Sequence, residues 1–137
     1  MILSHTAVGA FMTHCGWNST VEAISAGIPM ITWPVHGEQF YNEKLQITVV
    51  QGIGVEVGAT EWSLHGFQEK DKLVSRHSIE KAVRRLMDDG DEAKEIRRRA
   101  QEFGRKATQA VQEGGSSNNN LLALIGDLKR LRDRKLV

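Results

Sequence analysis

Cysteine is almost missing from this chain: Cys15 is its single thiol in 137 residues. That excludes an internal disulfide framework and any zinc cluster built on cysteine, and it fits a reducing compartment. No run approaches 18 consecutive apolar residues, so no segment reads as a membrane-spanning helix. The opening Met1-Ile2-Leu3-Ser4-His5 lacks the basic start and apolar stretch of a signal peptide; if Met1 is an artificial start, that says nothing about a parent protein. Prolines number two and charge is nearly balanced at +1. What is present is an ordinary globular mixture, 40% hydrophobic and 26% charged, which excludes disorder and collagen-like repetition. The length leaves room for one domain, able to bury roughly 68% of its unfolded surface.

The near-zero total hides an asymmetry. Residues 1–75 carry a formal charge of −4 and residues 76–137 one of +5. A basic half can signal nucleic acid. Here the cations alternate with acids, as in Asp91-Glu92-Ala93-Lys94-Glu95-Ile96-Arg97, the pattern of a solvated helix face. No nucleic-acid partner is expected.

The first half alternates strand and helix. Ala7 to Met12 is an apolar run of strand length, followed by a polar, glycine-containing turn. Asn18 to Ala26 reads as a short helix, ended by Gly27 in the left-handed position and by Pro29 two residues later. Met30 to Trp33 reads as a buried strand stopped by Pro34. A second helix is expected from Gln39 to about Val50, with Phe40, Leu45, Ile47 and Val49 as apolar contacts, and a last strand from Gly54 to Val57. Strands separated by helices imply parallel pairing through right-handed crossovers, an α/β fold. Residues 58–74 have no clear period and read as a loop. From 75 onward the pattern is helical. Ile79, Ala82, Val83, Leu86 and Met87 form one stripe, with Ser75 or Ser78 as cap. After a break at residues 88–91, Ala93, Ile96, Ala100, Phe103, Ala107 and Ala110 line a long helix. Gly114-Gly115 ends it, and residues 116–120 offer caps for a final helix bearing Leu121, Leu124, Ile125, Leu128 and Leu131. The organisation expected is thus a single partial domain: an α/β segment over 1–57, a loop over 58–74 and a helical segment over 75–137.

The stretch that carries chemistry is His14-Cys15-Gly16-Trp17-Asn18-Ser19-Thr20-Val21-Glu22, at a strand-to-helix junction. There the first N–H groups of the helix lack partners and its dipole favours negative charge. Gly16 permits close approach of a ligand to the backbone, while His14, Asn18 and Ser19 add side-chain donors. A phosphate or pyrophosphate is the natural occupant, each charge-assisted hydrogen bond contributing about 1.5–3 kcal/mol and the terminus about 0.3–2 kcal/mol more. The plainer alternative is that Asn18 and Ser19 merely cap the helix. Glu22, about one turn after Asn18, either accepts two neighbouring hydroxyls or is a surface acid. Trp33 reads as core packing and Cys15 as a small buried filler.

The stretch from Leu3 to Ser19, continued by Glu22, Gly27-Ile28-Pro29-Met30, Trp33-Pro34 and Glu38-Gln39, closely resembles the signature box of plant secondary-product UDP-glycosyltransferases. Phe40-Tyr41-Asn42-Glu43-Lys44, Gly52-Ile53-Gly54-Val55, the Ile79 helix and Gly114-Gly115-Ser116-Ser117 resemble the C-terminal half of the same enzymes more loosely. The segment at Glu61-Trp62 and the loop after it resemble the branch acting on flavonoids and triterpenoids. The likeness implies the Rossmann-like C-terminal half of a GT-B fold, a UDP-sugar ligand (UDP-glucose), no metal or other cofactor, and a cytoplasmic setting with no membrane partner. It implies that His14, Asn18 and Ser19 hold the diphosphate, with the backbone at Gly16 and Trp17 closing on phosphate and sugar. Glu22 would grip the ribose, and Glu38 and Gln39 the transferred sugar, Gln39 resembling the residue associated with glucose.

The same likeness implies absences. The family's box opens on Trp-Ala-Pro-Gln ahead of the position of Met1, the Trp stacking on uracil. Without a stacking aromatic, worth about 1–3 kcal/mol on nucleic-acid sites, nucleotide binding is expected to be roughly 5- to 150-fold weaker. The catalytic His, its Asp partner and the acceptor pocket belong to a missing N-terminal domain. None of His5, His36, His65 and His77 matches that base, so no catalytic residue is expected here. The implied reading is a UDP-sugar-binding fragment, silent alone, of an enzyme moving a hexose to a hydroxyl of a small plant metabolite. The alternative is a non-catalytic interaction module that self-associates or pairs with a full-length enzyme through its leucine-lined last helix.

Overall fold

A computed structural model describes residues 2–49, 51–60 and 73–134. The segment around Glu61 and Trp62 lies outside the described residues, as do the side chains of Leu45 and Val49. Two units are distinguished, residues 1–104 and 105–137.

The first unit is built on a three-stranded parallel sheet in the order β1 (Phe11–Thr13), β2 (Met30–Thr32), β3 (Gly54–Glu56). Phe11 pairs with Met30, and Met30 in turn with Gly54. All three residues of β2 are buried. Its neighbours Met30 and Ile31 feed different clusters: Met30 joins Cys15, Ala23, Ile47, Ile53 and Ala100, while Ile31 joins Val55, Val57, Ala82, Leu86 and Ile96. A strand covered on both faces needs a continuous apolar run rather than alternation, which is what Met30-Ile31 supplies.

Helix α1 (Trp17–Ala26) follows β1 and ends at Gly27, whose φ of 69° is left-handed and whose neighbour Ile28 donates to the Ala23 carbonyl. The short α2 (Gln39–Tyr41) runs on into a π-helical segment, Asn42–Val49. Helices α3 (Arg76–Met87), capped by Ser75, and α4 (Asp91–Val111) bury Ala82 and Leu86, and Ala93, Ile96, Ala100 and Gly104. All but Gly104 belong to the two expected stripes, in which Ile79, Phe103, Ala107 and Ala110 are half-buried. Val83 and Met87, counted in the first stripe, are exposed.

The strands are shorter than the sequence suggests. The pairing of β1 begins at Phe11, not Ala7, because upstream of Met30 its partner chain is the turn at Gly27 and the N–H-less Pro29. The expected helix from Gln39 is present, but mostly as a wider π turn in which the Thr48 hydroxyl donates to the Glu43 carbonyl at 3.0 Å. In the second unit, α5 (Ser116–Arg134) starts on Ser116, so Ser116 to Asn120 form its first turn rather than precede it. None of its residues is buried; Leu121, Leu124, Ile125, Leu128 and Leu131 are all exposed. Among the described residues no helix is long and apolar enough to cross a membrane, and no group of three or more His, Cys, Asp or Glu could hold a metal ion.

Candidate functional site

The turn from β1 into α1 gathers the chemistry-bearing residues. His14, Gly16, Trp17, Asn18 and Ser19 line one cavity of ≈ 400 Å³, and Glu38, which precedes α2, completes its wall. Five of these residues come from one stretch of chain. Glu38 arrives because the chain leaves the carboxyl end of β2 at Pro34 and turns back. The site thus sits beyond the carboxyl ends of parallel strands, where open α/β sheets place their ligands.

The start of α1 is open. Its N-cap is Gly16, which has no side chain to offer, and no acid stands in its first turn. Helices α3 and α4 serve themselves: Ser75 accepts from the Ser78 amide at 3.0 Å, and Asp91 and Glu92 occupy the first turn of α4. Asn18 and Ser19 lie inside α1 and make no cap hydrogen bond, which removes the alternative that they are there as caps. The N–H groups of Trp17, Asn18 and Ser19 precede the first intrahelical bond, from the Thr20 amide to the Gly16 carbonyl at 3.0 Å. Such orphan donors next to a dipole's positive end attract an anion.

Gly16 has a second role. A Cβ there would stand 2.5 Å from Nε2 of His14, so the missing side chain is what lets the imidazole lie against the helix terminus. Trp17, 56% exposed, presents a large apolar ring at the cavity edge.

The floor is tightly held. Cys15 is fully buried with φ of 67°, its amide donating to Thr13 Oγ1 at 3.1 Å and its carbonyl accepting from Asn42 Nδ2 at 2.9 Å. Burial, and then the negative Glu43 nearby, push its thiol up to about 12, so it is an inert filler as the sequence suggested. Behind it Glu43 is fully buried and accepts from Thr32 Oγ1 at 2.5 Å, with its other oxygen left without a hydrogen bond and 3.8 Å from Lys44 Nζ. Burial raises the Glu43 carboxyl above its ordinary value, against the opposing effects of Thr32 and Lys44. Lys44 itself pairs with Glu56.

The remaining expected residues are placed as follows. Glu22 is exposed on α1, one turn beyond Asn18, and does not line the cavity. Gln39 is buried, its side-chain oxygen accepting from the amides of Val35 and His36 at 2.9 and 3.1 Å. Its amide nitrogen stands 3.5 Å from His36 Nε2, within hydrogen-bond reach, and Gln39 does not line the cavity. Asn42 and Glu43 are not among the residues that the sequence points to as functional. Both lie in the stretch Phe40-Tyr41-Asn42-Glu43-Lys44, and nothing local marks either one. A larger hollow of ≈ 710 Å³ lies along α3, lined by His77, Glu80, Lys81, Arg84 and others. Arg84 there is already paired with Glu80.

Comparison with known proteins gives a consistent outcome. The family model described as UDP-glucoronosyl and UDP-glucosyl transferase matches residues 1–97. UDP-glucose flavonoid 3-O-glucosyltransferase 7 of Fragaria ananassa is 56% identical over 96% of this chain and 27% of its own length. The crystal structure of Glycyrrhiza uralensis UGT73P12 complexed with glycyrrhetinic acid 3-O-monoglucuronide superposes with a TM-score of 0.93 at 43% identity, over 98% of this chain and 27% of that one. A UGT transferase from Siraitia grosvenorii in complex with UDP gives 0.80 at 35% identity, over 93% and 27%. The chain therefore spans about a quarter of the length of the relatives it matches, and its fold is that of their C-terminal GT-B domain.

Proposed function

The chain belongs to the UDP-glucoronosyl and UDP-glucosyl transferase family, and from that premise we propose that it is the part of such an enzyme that holds the nucleotide-sugar donor, UDP-glucose. His14 and the open amides at Gly16 and Trp17 would receive the diphosphate, with Asn18 and Ser19 on its other oxygens. Glu22 would accept the ribose hydroxyls. Glu38 and Gln39 would hold the glucose. The observation that carries this reading is the uncapped terminus of α1 opening, together with His14 and Glu38, onto a single cavity. It is supported by a relative named for UDP-glucose and a structural neighbour in complex with UDP.

In the complete enzyme the reaction is transfer of the hexose, with inversion, to a hydroxyl of a small plant metabolite such as a flavonoid or triterpenoid. A base outside this chain takes the hydroxyl proton, the oxygen attacks the anomeric carbon, and UDP leaves. The groups named here act on the leaving side. They stabilise charge that grows on the diphosphate as the glycosidic bond breaks, so their contribution is greatest in the transition state. The 137-residue chain alone binds donor without transferring it.

Titration calorimetry with UDP tests the site. His14→Ala and Glu22→Ala are each expected to weaken binding, and an unchanged affinity in both refutes it. A second reading, association with another copy or with a longer member of the family, is favoured by one observation, the exposed leucines of α5. Light scattering that finds a strict monomer at high concentration counts against the self-association form.

A further inference from the structure

Cys15 is, among the described residues, the one non-glycine residue with a positive φ. A residue with a Cβ adopts that left-handed conformation at a cost and keeps it only where its surroundings over-determine it. Here the surroundings are explicit. The Cys15 amide is held by Thr13 Oγ1 from the end of β1, and its carbonyl by Asn42 Nδ2, which comes from 27 residues further along the chain. A trans peptide points its C=O and N–H in opposite directions. The grip on the Cys15 oxygen therefore sets the direction of the Gly16 N–H, in the residue that caps α1 and lines the cavity. The Asn42 backbone amide also donates to the Glu38 carbonyl at 2.9 Å. One residue thus ties the wall carrying Glu38 to the wall carrying His14 to Ser19, while lining neither.

We infer that Asn42 is a positioning residue of the donor site: it holds Cys15 in its left-handed turn and thereby aims the Gly16 amide and the first turn of α1 at the bound diphosphate. This rests on the donor-site reading above. It also explains why a half-buried amide side chain is spent on a backbone carbonyl rather than on its own helical segment.

The test uses the 137-residue chain, with UDP and inorganic pyrophosphate as probes for calorimetry and backbone NMR of Cys15 to Ser19 recorded without ligand. Asn42→Ala, and the same-shaped Asn42→Asp that loses the donor, are expected to move those resonances. Both are expected to weaken UDP and pyrophosphate about 5- to 10-fold, the worth of one hydrogen bond and the strain it restrains. Cys15→Gly accepts a positive φ without a Cβ penalty. In that background the cost of Asn42→Ala is expected to fall below about 2-fold, since the turn no longer needs restraint. A purely structural role would carry the same loss into the glycine background, and that result overturns the inference. So does wild-type affinity in Asn42→Asp, or resonances that stay in place. A wild-type chain that binds neither probe, while Asn42→Ala still moves the resonances, sinks the donor-site reading itself and leaves Asn42 only its structural hold on the Cys15 turn.

Discussion

Gly16→Ala separates a structural role from a binding one at a single atom. The added Cβ would lie 2.5 Å from His14 Nε2 and 3.2 Å from two further ring atoms. That is closer than van der Waals contact permits, so one group must move. The backbone at residue 16 already has φ −60° and ψ 147°, which alanine adopts without strain. The obstacle is the far end of a flexible, exposed side chain, so the imidazole swings away and the fold stays. Alanine is a poorer N-cap than glycine, at a cost below about 1 kcal/mol, or roughly 3–5 °C in Tm for a chain of this size. The binding cost is larger. Losing one charge-assisted donor removes about 1.5–3 kcal/mol, which is about 10- to 150-fold in Kd for UDP or pyrophosphate. If displacement of His14 is the whole effect, the loss must match that of His14→Ala, and Gly16→Ala/His14→Ala must lose no more than either single variant. Calorimetry on the four proteins, with thermal melts alongside, decides it. Losses that add in the double variant would refute the reasoning, as would Gly16→Ala binding like wild type.

Two further outcomes follow from contacts away from the cavity. In Gly104→Ala the new Cβ would stand 2.7 Å from Gly27 Cα and 2.9 Å from Gly27 N; both are backbone and Gly27 is fixed by its left-handed φ, so denaturant melts should show a loss of about 1–3 kcal/mol, and an unchanged midpoint contradicts the close crossing. Because burial raises the Glu43 carboxyl above its ordinary 4.5, the folded state holds that proton more tightly; the stability is fully present below about 4.5 and falls as pH rises through the folded value. Glu43→Gln should match wild type near pH 4 and gain on it as pH rises, and a stability difference flat in pH refutes this.

Much of this arrangement was legible because it is local. Gly27 and Pro29 mark the end of α1 by backbone chemistry alone, and the Ala93, Ile96, Ala100 stripe needs only helical spacing to find its buried face. His14 to Ser19 come together because they are consecutive at a strand-to-helix junction, and Glu38 joins them in lining the cavity. What escaped depends on contacts between distant segments. Asn42 grips a carbonyl 27 residues away, and the register that permits it includes a π turn that a 3.6-residue period cannot foresee. Glu43 looks like a surface acid in any helical pattern, yet it is fully buried against Thr32. The α5 leucines show the reverse failure: their spacing says that a face wants cover, but spacing does not name the cover, and in this chain the face is exposed.

The escaped residues share a location, beneath the open terminus of α1, and that location restricts what they can be. An anion cradle is weakened by any negative charge behind it, more so where the surroundings are apolar. Cys15 is the nearest such threat, since it adjoins both His14 and Gly16, and a thiolate there would repel a diphosphate through the backbone. Its thiol is instead pushed up to about 12, first by burial and then by Glu43, so it stays neutral throughout the physiological range. Glu43 is the second threat, and burial shifts it in the same direction, toward the protonated form. When it does ionise, Lys44 Nζ stands 3.8 Å from the oxygen that has no hydrogen bond. The buried floor therefore limits negative charge by the same desolvation that costs it stability above pH 4.5, which is why Glu43→Gln should cost the site little while steadying the fold.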